Sequence, residues 1–169
     1  MSEAIEHQAL TQYSVHPPSQ FVCHHQDKLL PDWSCPARSM LIVLQSCDCD
    51  LLERSPLAEA QKHKLRRQFL KLGYAIAAQI NHRGYLAALF DPRTGLPLLA
   101  RPGALRLNDV AIVQAALGYR VASSHGCSIV LHPTWGRAVY PSTLISSAAP
   151  AVIEEILSEM RKAVDDRAV

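Results

Sequence analysis

No run of apolar residues in this 169-residue chain approaches the roughly 18 needed to cross a bilayer as a helix, so no membrane-spanning segment is predicted. The first residues, MSEAIEHQAL, are acidic and carry neither a secretory apolar core nor the Arg-rich, acid-poor pattern of an organelle transit peptide. A cytoplasmic protein is the expectation. Internal repeats and low-complexity segments are missing, and a formal net charge of +2 supplies no general field for nucleic acid. The five cysteines (Cys23, Cys35, Cys47, Cys49 and Cys127) are odd in number and lack disulfide-framework spacing. Free thiols in a reducing compartment fit that count best.

Several catalytic signatures are absent as well. There is no P-loop, dinucleotide fingerprint, G-x-S-x-G or H-E-x-x-H, and no pair of carboxylates placed for acid–base work. What remains is a chain that is 49% hydrophobic and 19% charged, long enough for one buried core and short for two. Residues 1–10 are expected to fray and residues 11–165 to form a single domain.

The segment Met40–Gln45 (MLIVLQ) reads as a strand buried on both faces, and Gln12–His16 as a short one before Pro17-Pro18. Four prolines punctuate the following stretch, which leaves room for a short helix near Gln20–Leu30. Ser55-Pro56 suits a helix start, and Leu65, Phe69, Leu72, Ile76 and Ile80 then fall on one helical face that Gly84 closes. Tyr85–Phe90 predicts a strand, Asp91-Pro92-Arg93-Thr94-Gly95 a turn with positive φ at Gly95, and Leu96–Leu99 a returning arm. Asn108 or Asp109 caps a helix running to Leu117, with Gly118 as its stop. Further strands are expected at Tyr119–Ala122, Ser128–His132 and Arg137–Pro141, and a last helix opening at Ser147. The fold class is α+β, a mainly antiparallel sheet with helices packed on it.

Chemistry concentrates around HGCSIVLHPTWG, residues 125–136. In a strand, Cys127 and His132 lie on opposite faces and roughly 16 Å apart, so they cannot act as a nucleophile–base pair. His125 is the nearer imidazole and, when protonated, would favour the thiolate. Ser124, His125 and Gly126 are small or polar and suit a loop through which a thiol reaches a large flat object. The plain alternative is that Cys127 is one more buried strand residue. Trp135 beside Gly136 suits a plug closing the sheet, with His132 a satisfied turn histidine. Cys23-His24-His25 and Cys47-Asp48-Cys49-Asp50 admit a metal site, but C-x-C is tight for zinc and loop thiols are the simpler account. The basic run Lys62–Lys71 lies on a helix whose apolar face is already used, and is read as a solvated face rather than a nucleic-acid surface.

The succession GYLAALFDPRTGLPLL (84–99), ALGYRVASSHGC (116–127) and HPTWG (132–136) resembles the C-terminal domain of the methylmalonic aciduria and homocystinuria type D protein family, CblD, from about Gln12 to Leu157. Asp91, Pro92, Gly95, His132, Trp135 and Gly136 carry the shared motifs. The resemblance implies a nitroreductase-like fold without flavin. It also implies an adaptor in cobalamin trafficking rather than an enzyme, one that docks on a CblC-type cobalamin processing protein. On that reading Cys127, with Gly126, His125 and Ser124 around it, meets the cobalt of cobalamin held by the partner, and no cofactor is tightly bound by the chain alone. Ser128 stands where animal members carry a second cysteine. A monomer or homodimer without nucleic-acid or membrane partners is expected. The alternative is a stand-alone flavin or thiol oxidoreductase on the same scaffold.

Overall fold

The structure is a computed structural model that describes residues 10–169. The expectation of fraying over 1–10 therefore lies outside the described residues, except at Leu10. That residue is tied down, its N–H donating to Ser46 Oγ and its carbonyl accepting from Ser46 N, both at 2.8 Å.

A five-stranded antiparallel sheet organises the chain. Its strands are β1 (Thr11–His16), β2 (Ser39–Ser46), β3 (Ala87–Phe90), β4 (Pro97–Leu98) and β7 (Val139–Ser146), in the order β1-β2-β7-β3-β4. The remaining strands, β5 (Arg120–Ser124) and β6 (Cys127–Leu131), pair only with each other. An α+β fold is thus observed, but as a sheet plus a separate ribbon rather than one sheet.

Alternation along β2 sets the two faces. Met40, Ile42 and Leu44 point to one side, where Val22 and Leu29 of α1 (Gln20–Leu29) and Ile112 and Val113 of α3 (Asp109–Leu117) cover them. Leu41 and Val43 point to the other. There Phe69, Ile76 and Ile80 of α2 (Pro56–His82) meet Ile153 and Ile156 of α4 (Pro150–Arg167). Every β2 residue from Ser39 to Gln45 is buried, as expected of a strand covered on both sides.

Helices α2 and α3 start where their sequences say. Ser55 Oγ accepts from Ala58 N with Pro56 in the first turn, and Asn108 Oδ1 accepts from Ala111 N. Gly118, at φ +69°, closes α3 in the left-handed region.

Three expectations are corrected. Strand β7 runs to Ser146, well beyond Pro141, and is the central strand of the sheet. Proline normally argues against a central strand because it cannot donate to the ladder. Here β3 pairs only with residues 144–146, so β7 is unpaired on that side at Pro141 and the missing N–H costs no bond there. The last helix opens at Pro150 with Ala149 as its cap, not at Ser147. Ser147 Oγ instead accepts from Leu86 N at 2.8 Å and fastens the end of β7 to the start of β3. The strand expected from Tyr85 begins at Ala87.

Candidate functional site

The ribbon's tip is made by its turn. His125 and Gly126 have φ of +48° and +76°, the left-handed pair that a two-residue hairpin turn of the right twist demands. Glycine meets that demand freely, and histidine is one of the side chains that tolerates it. A side chain at residue 126 would meet nothing within 4 Å, so the turn conformation, not crowding, is the local reason for Gly126. The exposed Arg54 guanidinium donates to the His125 carbonyl and holds the tip against the segment before α2.

Cys127 is the first residue of β6 and stands opposite Ser124. His125 is a turn residue rather than a strand neighbour on the same face, and among the described residues the Cys127 sulfur makes no hydrogen bond. The sulfur is partly buried and borders an open cleft of about 370 Å³. Ser128 is exposed and its hydroxyl is bonded across the ribbon to that of Ser123 at 2.8 Å.

The opposite wall of this cleft is the 91–95 turn. Asp91 is buried, and the Arg66 guanidinium of α2 grips both its carboxylate oxygens at 2.7 and 2.6 Å while the Arg93 N–H donates to one of them at 3.0 Å. These bonds, led by the Arg66 side chain, hold the Asp91 carboxyl below the ordinary carboxylate range despite its burial. The Asp91 carbonyl accepts from Thr94 and Gly95, and the Gly95 carbonyl from Leu107 N at 2.8 Å. Gly95 has φ +70°, and an added Cβ would lie 2.5 Å from the Leu107 carbonyl oxygen, so only glycine fits. Asp91, Pro92 and Gly95 therefore build the wall and dock it on residues 106–107.

The floor holds groups that the sequence did not single out. Because Asn108 caps α3, the Asp109 carboxylate is released to accept from Thr143 Oγ1 of β7 at 2.7 Å. Burial pushes its pKa up to about 7, against the stabilisation from Thr143. Tyr140 lines the same cleft, and burial, aided by the charges of Asp109 and Asp91, pushes its phenol well above the ordinary value. Only the choice between Asn108 and Asp109 as cap hinted at Asp109. The contact with Thr143 spans 34 residues and leaves no local trace.

At the far end of β6, His132 is buried. Its Nδ1 accepts from the backbone N–H groups of Thr134 and Trp135, both at 3.0 Å. That leaves the proton on Nε2, which donates to Gln12 Oε1 of β1 at 2.9 Å. The ring stacks on Trp135 at 4.1 Å, and burial lowers its pKa, which keeps it neutral. His132 and Gly136 exchange both backbone hydrogen bonds. The HPTWG motif is thus the ribbon's root, with Trp135 packed on the core.

The other thiols stand apart from this site. Cys47 donates to the Cys49 carbonyl at 3.2 Å and burial pushes its pKa up to about 11, while Cys23 is exposed on α1. Among the described residues no three or more His, Cys, Asp or Glu side chains are grouped to hold a metal ion, and no helix is long and apolar enough to cross a membrane.

The family model described as methylmalonic aciduria and homocystinuria type D protein matches residues 1–158 of the chain. No curated protein matches.

Proposed function

The chain belongs to the methylmalonic aciduria and homocystinuria type D protein family, a family linked to cobalamin trafficking, and from that premise we propose that it is an adaptor that presents the Cys127 thiolate to cobalt. The cobalamin is held by a CblC-type processing partner, on which the β5–β6 tip docks. The scaffold is read as a nitroreductase-like one without flavin, and the protein as a carrier without catalysis of its own.

One observation carries this reading. The only thiol on the ribbon stands directly after its turn, partly exposed beside an open cleft. A sulfur so placed can approach a flat macrocycle without unfolding anything. Thiolate is a soft, strongly donating ligand suited to a transition metal. Ser124 and Gly126 add little bulk around it and His125 is exposed in the turn, which matters when the object approached is wide.

Mixing the protein with cobalamin and a CblC-type partner is expected to give a new visible absorption spectrum that Cys127→Ala abolishes. Identical spectra from wild type and Cys127→Ala, with a competent partner present, would sink the proposal. Purification with stoichiometric bound flavin would replace it by an oxidoreductase.

A further inference from the structure

The cleft beside Cys127 has more chemistry than a thiol needs. Its volume of about 370 Å³ falls in the range of small-molecule sites. Hydrocarbon from Leu51, Ile129 and Val139, all buried residues, forms part of its lining. Two arginines reach its mouth from neighbouring segments. Arg93 comes from the turn pinned by Asp91, and Arg106 from the segment that Gly95 contacts through the Gly95–Leu107 hydrogen bond.

Neither cation has a carboxylate of its own: the charge of Arg93 is felt at Asp91, but that carboxylate is taken by Arg66. Among the described residues neither guanidinium makes an ion pair or a side-chain hydrogen bond, whereas Arg66, one helix away, is fully engaged by Asp91. The nearest carboxylate on the floor, Asp109, is committed to Thr143, and its raised pKa leaves it only partly charged at neutral pH. The Tyr140 phenol keeps its proton and can donate. An apolar lining under two unpaired, fork-shaped cations suits a ligand with a hydrocarbon body and one anionic group.

The geometry points to this cleft as a binding site for an organic anion, its charge held by Arg93 and Arg106, its apolar body against Leu51, Ile129 and Val139, and its occupancy covering the Cys127 sulfur. The site stands whether or not Cys127 meets cobalt, because no part of it uses the thiol.

The probe for a test is 8-anilinonaphthalene-1-sulfonate, with the uncharged N-phenyl-1-naphthylamine as its control. On the full chain, saturable single-site fluorescence enhancement by the sulfonate is expected. The double variant Arg93→Gln/Arg106→Gln should weaken it about tenfold or more, and Arg93→Lys/Arg106→Lys should restore most of the loss. The neutral control should bind all three proteins alike. Cys127→Ala should keep the sulfonate, which separates this site from the cobalt proposal. Saturating probe should slow alkylation of Cys127 by iodoacetamide several-fold, read by peptide mass spectrometry, and leave the exposed Cys23 unchanged. Equal sulfonate affinity in wild type and the glutamine variant, or an unprotected Cys127 under saturating probe, would overturn the assignment.

Discussion

Asp109 shows how one half-buried carboxyl sets a pH dependence for the whole fold. Its folded pKa, about 7, lies above the ordinary carboxylate value it regains on unfolding. Between those values the folded state binds the extra proton, so stability falls as pH rises through that window and stays lower above it. The N-terminal dipole of α3 favours the charged form and trims the effect. Asp109→Asn cannot ionise, and its amide oxygen can still accept from Thr143. Calorimetry should therefore show the variant melting a few degrees above wild type near pH 8, with a distinctly smaller gain near pH 5, since about 1 kcal/mol moves a domain of this size by roughly 2–4 °C. The same difference at both pH values would mean that the carboxyl is not titrating there. His132 is the contrasting case. It serves as a neutral hydrogen-bonding spacer between β1 and the ribbon, the satisfied turn histidine its sequence context predicts.

At the scale of elements, the wall of the cleft hangs on the Arg66–Asp91 pair. Asp91's carboxyl is depressed, so its contribution is present above the ordinary carboxylate value and is lost as pH falls through the folded one. Breaking a fully buried pair by removing one partner costs roughly 3–5 kcal/mol. Arg66 keeps 27% of its side chain exposed, so Asp91→Asn should cost less than that in urea unfolding at neutral pH. The deficit should shrink as the pH is lowered below about 4. A deficit that does not change with pH would assign the loss to packing instead.

The elements also show what could be read from the chain beforehand. Helices α2 and α3 were legible because cap, apolar spacing and stop glycine agreed in each. The 91–95 turn was legible because proline and glycine fix φ locally. Strand β7 was legible only as far as Pro141, since that proline and four hydroxyl residues in 142–147 look like loop until the end of β3 is known. In the site, Gly126-Cys127 was visible as a motif. Asp109, Tyr140, Arg93 and Arg106 became neighbours only through long-range packing that no local pattern encodes.

For the molecule as a whole, the division into sheet and ribbon predicts a division of stability. The five strands are clasped by two helices on each side, while β5 and β6 have only each other as hydrogen-bonded neighbours. A two-stranded unit is marginal by itself, and local opening concentrates where few apolar contacts resist it. Native-state hydrogen exchange should find the inter-strand amides near the ribbon tip, Ser124 and Cys127, exchanging much faster than those of Leu41, Ile42 and Val43. Equal protection would show that the ribbon opens only with the core. Membership of the family is likewise a property of the whole chain, since the matching span, 1–158, takes in sheet and ribbon together.

Rooted by an imidazole, seated along its middle by the buried Ile129 and Val130, and steadied at its end by the Arg54 guanidinium, the ribbon has the mechanics of a beam with a short overhang. Removing that last hold would loosen the overhang at residues 124–127 and leave the seated part of the beam in place. The one atom on which a cobalt bond would depend is therefore steadied by a surface arginine 73 positions away, which lies outside the hydrophobic interior.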